Sequence, residues 1–557
     1  MRKNKLNISV SYQELLLVIL FMFVVSSSMA GPDDFVFTVD TRISTDNESF
    51  TIPTYDTGYK YDVDCDNDGI FEAINQTTAY TCDYSMGGAG RNVILIKDNT
   101  DDGNGFPRFR FNEFGEEAEI IELNNWGTGV WDSMDSAFED AVNMVVIASD
   151  WPDLSQVSSV SKMFLEAALV NPNTSNWNTS NITDMSFMFA NVAAADPDTS
   201  GWNTSNVTDM RNLFFGASVA TPDTSNWDMS QVTDISFMFL GAQMADPNTS
   251  DWDTGNVTSM RNTFAGALVA NPDVSDWDTA NVRDMGSMFS SALLATPDTS
   301  SWNTSSVTNM SFMFNAARTA NPDVSGWDTA NVTDMRFMFS NADVANPDTS
   351  DWDTANVTDM DRMFSNAVLA DPDTGSWDIS KVAVMANMFS GVTLPIASYD
   401  SILTNFSAQM VLSGVQFNGG NSLYCASSAR DDLIVNDDWI ITDGGMASES
   451  ICDELDIIFR ISFEVPVVTF TANLKWFEYD FEQLETVEIG IYPELIGVGL
   501  DQDGQITIKF HIRKVNQQLQ IRISDLDIDA FESVTWIEHQ WQNINSSGLT
   551  EITWLQY

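Results

Sequence analysis

WDTANVTDMRFMFSNADVANPDTSDW, residues 327–352, is the stretch whose reading decides the fold. It opens and closes on tryptophan, and the 25-residue step from Trp327 to Trp352 is shared by Trp177, Trp202, Trp227, Trp252, Trp277, Trp302 and Trp377. Other columns keep the register: a proline column runs from Pro172 to Pro372 and a phenylalanine column from Phe164 to Phe389. A unit this short cannot bury its own apolar face, so its copies must stack side by side. Within it, Val332, Met335, Met338, Phe339, Ala342 and Ala345 fall at steps of three and four, which predicts a helix. Asn331 stands where an N-cap belongs, Asp334 adds a carboxylate at the positive helix end, and Pro347 forbids continuation. Asp348 to Trp352 is too short for a second helix and ends on a strand-favouring aromatic, so it reads as a short strand. The expected fold class is therefore an α/β leucine-rich-repeat-like solenoid flanked by all-β N- and C-terminal domains.

Met and Phe columns at helical spacing read as core rather than as a thioether metal site. Alternation along a strand puts Ser350 and Trp352 on one side, and Thr349, Asp351 and Asp353 on the other. The tryptophans are expected inward as a buried ladder. The rival is an exposed aromatic ladder for stacking on sugar rings.

The segment ANVTDMRFMFSNADVANPDTSDWDTANVTDM at 330–360, recurring across about 177–392, resembles the repeats of the BspA family of bacterial surface proteins. Looser units precede it around Trp126 and Trp151. The chain departs from that pattern in placing Asn-Pro, Asp-Pro or Thr-Pro before the strand. The resemblance implies a secreted or surface-displayed, non-catalytic adhesion or binding scaffold for protein or glycan ligands.

At the N-terminus Arg2, Lys3 and Lys5 precede an apolar run from Leu15 to Val25 and the small residues Ser28-Met29-Ala30. This reads as a signal peptide, 1–30, cleaved after Ala30, and hence as a secreted or cell-surface bacterial protein. No later segment is long and uncharged enough to span a bilayer. With 80 acidic against 24 basic residues and a formal charge of −56, nucleic acid and anionic lipid are poor partners, whereas cations suit. Four cysteines form two local pairs, Cys65 with Cys82 and Cys425 with Cys452, and an exported chain with an even count points to two disulfides. Each would close a loop of roughly 20 to 30 residues, worth on the order of 3 kcal/mol.

Alternating runs divide the rest into a β-sandwich-like domain at 31–110, the array at 111–392, its cap at 393–445 and an all-β domain at 446–557. Neither His511 nor His539 sits in a nucleophile motif, and carboxylates repeated coil after coil form ladders rather than a unique site, so no enzyme is expected; the third alternative is a glycan-active enzyme, for which two carboxylates suffice. No cofactor is expected, with calcium the one open possibility. Asp64, Asp66 and Asp68 offer oxygens at alternate positions before Gly69, half of a calcium loop. Asn75 stands where the loop's glutamate belongs, and the alternative is an acidic turn. Two acidic ladders, one after each proline (including Asp298, Asp323 and Asp348) and one after each tryptophan, would set carboxylates about 4.8 Å apart on stacked strands. Such pairs repel by about 3 kcal/mol at an effective dielectric near 20. Bridging calcium would relieve them, which defines the alternative of a calcium-stabilised or even ice-binding structural array.

Overall fold

The computed structural model describes residues 33–448 apart from 44–47, 102 and 112–114, together with Cys452 and the backbone of strands between 455 and 554. The signal-peptide expectation at 1–30 lies outside the described residues. Two compact units divide the chain. One holds residues 1–422 and 428–444, the other 423–427 and 445–557.

The expected α/β leucine-rich-repeat-like class is overturned. Among the described residues the α-helices are Ile396–Ser407 and Ser427–Asn436, both beyond the repeats, and no regular strand falls between Val146 and the first of them. Each 25-residue coil is a path of turns, tied to the next by a lone parallel bridge such as Asp334 to Asp359. The backbone hydrogen bonds explain the failure. Met335, Phe337, Phe339 and Asn341 donate their N–H groups sideways, to the carbonyls of Asp359, Asp361, Met363 and Ser365 in the following coil, at 3.0, 2.8, 2.8 and 2.7 Å. The intervening Met338, Ser340 and Ala342 donate back to Met335, Phe337 and Phe339, three residues earlier. An α-helix would instead send every N–H four residues back.

Alternate outward donors require the chain to double back, which it does through left-handed backbone at Phe337 (φ 57°) and Asn341 (φ 58°). Such a residue costs about 1–2 kcal/mol when it carries a Cβ, and the cross-coil bonds it permits offset this by keeping buried amides paired. At the Asn341 position the array reads Asn191, Gly216, Gly241, Gly266, Ser291, Ala316, Asn341, Asn366 and Gly391, all left-handed. Asparagine and glycine, the residues that tolerate this conformation best, fill seven of these nine positions.

The inward set read from the spacing is inward nonetheless. Val332, Met335, Met338, Phe339, Ala342 and Ala345 are fully buried. The phenylalanine rings stack along the array, from Phe189 on Phe214 at 5.8 Å to Phe364 on Phe389 at 5.5 Å. The nine tryptophans are at most 4% exposed, with Trp202 over Trp227 at 6.0 Å and an interplanar angle of 4°. From Trp277 to Trp377 each indole N–H donates to a carbonyl 28 residues earlier, as Trp302 does to Val274 at 3.0 Å. Trp151, in the second of the looser units, is half exposed.

The strand reading of Asp348 to Trp352 also fails. Thr349, expected outward, is fully buried beside Trp352, and its Oγ1 donates to the Asp373 carbonyl of the next coil at 2.7 Å. A turn, unlike a strand, can point residues three apart the same way, and Trp352 N–H closes that turn on the Thr349 carbonyl at 3.2 Å. Asn331 caps no helix. Its side-chain amide donates to the Ser305 carbonyl of the preceding coil at 2.8 Å, and Asn181, Asn206, Asn256, Asn281 and Asn356 repeat the contact.

Ahead of the array, six strands form one sheet in the order β4-β3-β6-β1-β7-β8: β1 Phe35–Asp40, β3 Tyr61–Asp64, β4 Ala73–Gln76, β6 Arg91–Asp98, β7 Ile120–Asn125 and β8 Val145–Val146. Strands β2 (Ser49–Ile52) and β5 (Tyr80–Asp83) pair separately. The sheet crosses residue 110, since β7 lies against β1 and β8 pairs parallel with β7. Beyond the last coil, Phe389 N–H donates to the Asn418 carbonyl at 3.0 Å, while Phe417 packs among Phe389, Tyr399, Phe406 and Trp439. Residues 396–418 with Trp439 thus supply the apolar cover that a terminal coil needs. Cys65–Cys82 and Cys425–Cys452 are disulfide-bonded. In the second unit the described backbone from 455 to 554 forms a three-stranded and a four-stranded sheet.

Candidate functional site

Asp64, Asp66 and Asp68 come together, and Glu72 joins them, with one carboxylate oxygen of each within 4.8 Å of the others. The β3 end and the Cys65–Cys82 bond hold the loop, and Tyr84 fastens it by donating from its hydroxyl to the Cys65 carbonyl at 2.8 Å. Burial pushes the Tyr84 hydroxyl well above the usual tyrosine range, and the nearby acids Asp66 and Glu72 add to the rise. Asp64 is buried and organises the turn, accepting N–H groups from Asp66, Asp68 and Gly69 at 3.4, 3.2 and 2.8 Å. Glu72 accepts the Cys65 N–H at 2.7 Å. Asn75 takes no part in the cluster, and its N–H goes to Asp62 at 2.6 Å. Four hard oxygens converging from a short loop suit calcium by donor type. The same bonds are what an acidic turn makes for itself.

The acidic columns of the array have a turn-forming role that spacing alone could not reveal. After each proline the acid accepts hydrogen bonds from the residue two further on: Asp348 Oδ1 takes the Ser350 N–H and hydroxyl at 3.1 and 2.7 Å. The same pair of bonds occurs at Asp198, Asp223, Asp273, Asp298 and Asp323. Hydrogen bonds from the following serine hold the Asp223, Asp273, Asp298 and Asp348 carboxyls below their ordinary range. At Asp273 the neighbouring Asp298 pushes the other way as the weakest influence.

A different column does feel burial. Asp209 and Asp334, half buried at the cross-coil bridges, have raised carboxyl pKa values because desolvation outweighs the help of Arg211 and Arg336. The guanidiniums lie 3.3 Å from their carboxylates. Arg211, Arg336 and Arg362 also cover Phe187, Phe312 and Phe337 at 6.0, 5.9 and 5.0 Å. Lys162, Arg211, Arg261, Arg283, Arg336 and Arg362 all fall six to eleven residues past a tryptophan, so most of the array's positive charge is confined to one part of the repeat.

Opposite in character is a stripe that the sequence reading missed. Leu169, Val219, Met244, Leu294, Val344 and Leu369 occupy one column and are 39 to 59% exposed. Leu293 and Val368 widen it. Among the described residues from 165 to 392, the exposed large apolar side chains lie in these two adjacent columns, Val384 excepted. The signal was present in the sequence, at 17 residues past each tryptophan, but a helical reading of the same segment hides it among core positions.

Twenty-five-residue coils with constant buried tryptophan and phenylalanine columns and a differentiated exterior define a tandem-repeat protein. Three overlapping matches, at residues 109–223, 209–302 and 294–401, cover more than half of the chain with the family described as "Mycoplasma protein of unknown function, DUF285". The chain belongs to that family. No curated protein and no solved structure matches it. No described helix is long and apolar enough to cross a membrane.

Proposed function

We propose that the protein is an exported, non-catalytic binding scaffold akin to BspA-type surface proteins, which displays its coil exteriors to protein or glycan ligands. The observation that carries this reading is the contrast between inside and outside. Phenylalanine holds one buried column from Phe164 to Phe389, whereas the exposed or half-exposed position two residues before it changes from Phe187 to Asn212, Phe237, Asn262, Ser287, Phe312, Phe337 and Arg362. A stack stabilised by its interior leaves its surface free to specialise. The two disulfides and the basic-then-apolar N-terminus support export. Screening the mature chain against glycans and extracellular-matrix proteins, with turnover of the same polysaccharides followed in parallel, tests it. Saturable binding without turnover is expected, and cleavage of any member would replace the scaffold reading with an enzymatic one.

The calcium-stabilised reading draws on the acidic ladders of the array and on the cluster of Asp64, Asp66, Asp68 and Glu72. A millimolar calcium rise in melting temperature that exceeds the effect of sodium at equal ionic strength, and that disappears in Asp66→Asn/Asp68→Asn, would favour it.

A further inference from the structure

The apolar stripe runs at a fixed register of 25 residues through Leu169, Val219, Met244, Val269, Leu294, Val344 and Leu369, interrupted by Ala194 and Thr319. Exposed apolar surface gathered along one face is a mark of an interaction site. Its rim is specific in charge. Two residues past the stripe stands an exposed column that includes Asp196, Asp246 and Asp371. Two further on comes the exposed acidic column of Asp198, Asp223, Asp273, Asp298, Asp323, Asp348 and Asp373. Neither rim column contains a lysine or arginine, and Arg318 beside the stripe faces Asp343 at 3.9 Å.

The rim is also rigid. Asn171 Oδ1 accepts the Asp196 N–H, Asp196 the Thr221 N–H and Asp246 the Asn271 N–H, each from the following coil, at 2.9 to 3.0 Å. Asn321 and Asn346 continue the pattern at 2.8 Å. The acids are therefore held at fixed positions beside the apolar line.

Spacing identifies the shape that fits. Equivalent rings of successive coils lie 5.5 to 5.8 Å apart along the phenylalanine core, 5.7 to 6.4 Å along the tryptophans and 4.4 Å between Phe312 and Phe337, a range that brackets the height of one helical turn. An α-helix repeats every ~5.4 Å along its axis. A helix laid along the stack would thus bring one apolar side chain per turn against one stripe residue per coil, the arrangement of helix-in-groove recognition. Its flanking positions would meet the carboxylates.

We propose that this face docks a cationic amphipathic α-helix, with leucine-like side chains on the stripe and lysine or arginine on the acidic rim. The proposal rests on the scaffold reading above and names its partner. The test uses the full mature chain and a synthetic Leu/Lys peptide of about 21 residues whose leucines share one helical face. A scrambled peptide of the same composition spreads them around the helix. Calorimetric titration at physiological salt should show the amphipathic peptide binding at least tenfold more tightly than the scrambled one. The triple variant Val219→Gln/Leu294→Gln/Leu369→Gln changes exposed side chains, so its circular dichroism and melting should match the parent while the preference is lost. Equal binding of the two peptides, or a folded triple variant that binds like the parent, overturns the proposal. Glycan or matrix-protein binding retained in that variant would show the scaffold reading surviving the failure of the helix site.

Discussion

Thr349 separates the observed coil from the strand that spacing suggests. In a strand its side chain would face solvent and its removal would be neutral. Here the side chain is fully buried, and its hydroxyl is a donor to the Asp373 carbonyl at 2.7 Å. Thr349→Val keeps the shape and deletes the donor, so the expected loss is that of a net hydrogen bond, about 0.5–1.5 kcal/mol, rising toward ~3 kcal/mol if the carbonyl is left dry. The array argues for the lower figure, because Val274 and Val324 already occupy this column and are buried like their threonine neighbours. About 1 kcal/mol is therefore expected. Thr349→Ser retains the donor and loses one methyl, about 0.8 kcal/mol by transfer. Thr349→Ala loses both, near 2 kcal/mol, with any residual cavity adding to it. Urea unfolding followed by tryptophan fluorescence, compared at constant m, measures all three. If Thr349→Val and Thr349→Ala both leave the midpoint unmoved, the side chain is outside and the turn described here is wrong.

Phe339→Ala should cost roughly 3–5 kcal/mol in the same assay, as for a buried aromatic truncated in a packed interior, whereas Asp351→Ala, exposed at a turn, should change little. Deleting residues 252–276 should leave a folded chain with a native circular-dichroism spectrum, because cross-coil bonds reach only adjacent coils; deletion of about half a period should not. Asp223→Asn/Asp273→Asn should keep the neutral-pH fold, since Asn173 and Asn248 make the same bonds to the following serine. The parental carboxyls are lowered in the folded state, so their stabilisation is complete above the unfolded value near 3.9 and is lost as pH falls through the folded one. Acid unfolding of the double variant should accordingly begin at lower pH. Asp334 works in the opposite sense. Its raised carboxyl favours the folded state more as pH falls through that raised value, and Asp334→Asn should flatten the melting temperature across the mildly acidic range.

The stacking period and the inward side chains were legible because burial imposes them on any path the backbone takes. Val332, Met335, Phe339 and Ala342 point inward whether the segment is a helix or a chain of turns. What steps of three and four could not reveal is where the amides go, since sideways bonds to the next coil compete with bonds four residues back. The Asn-Gly-Ser mixture in the Asn341 column carried that information, as residues suited to left-handed backbone, but it was overshadowed by the periodicity. Phe337 carried the opposite signal, a bulky residue in the same conformation, which no propensity would anticipate. Thr349 was misplaced because alternation holds only for strands. At the calcium-loop candidate, the approach of Glu72 depended on a chain reversal that linear spacing does not encode.

The sideways amide bonds have a direction. From Ser136 donating to Ser161 through Asn366 donating to Ser390, this set runs from each coil to the one after it, and only a smaller set, such as Thr333 to Thr308, runs back. The rod is therefore polar. Its first coil offers carbonyls and its last offers N–H groups, so two bare copies would fit head to tail and never head to head. An end of this kind is a template for open-ended growth. The cover at 416–418, whose Asn418 carbonyl takes the Phe389 N–H, consequently acts as a terminator of polymerisation as much as a support, standing where the carbonyls of another first coil would dock.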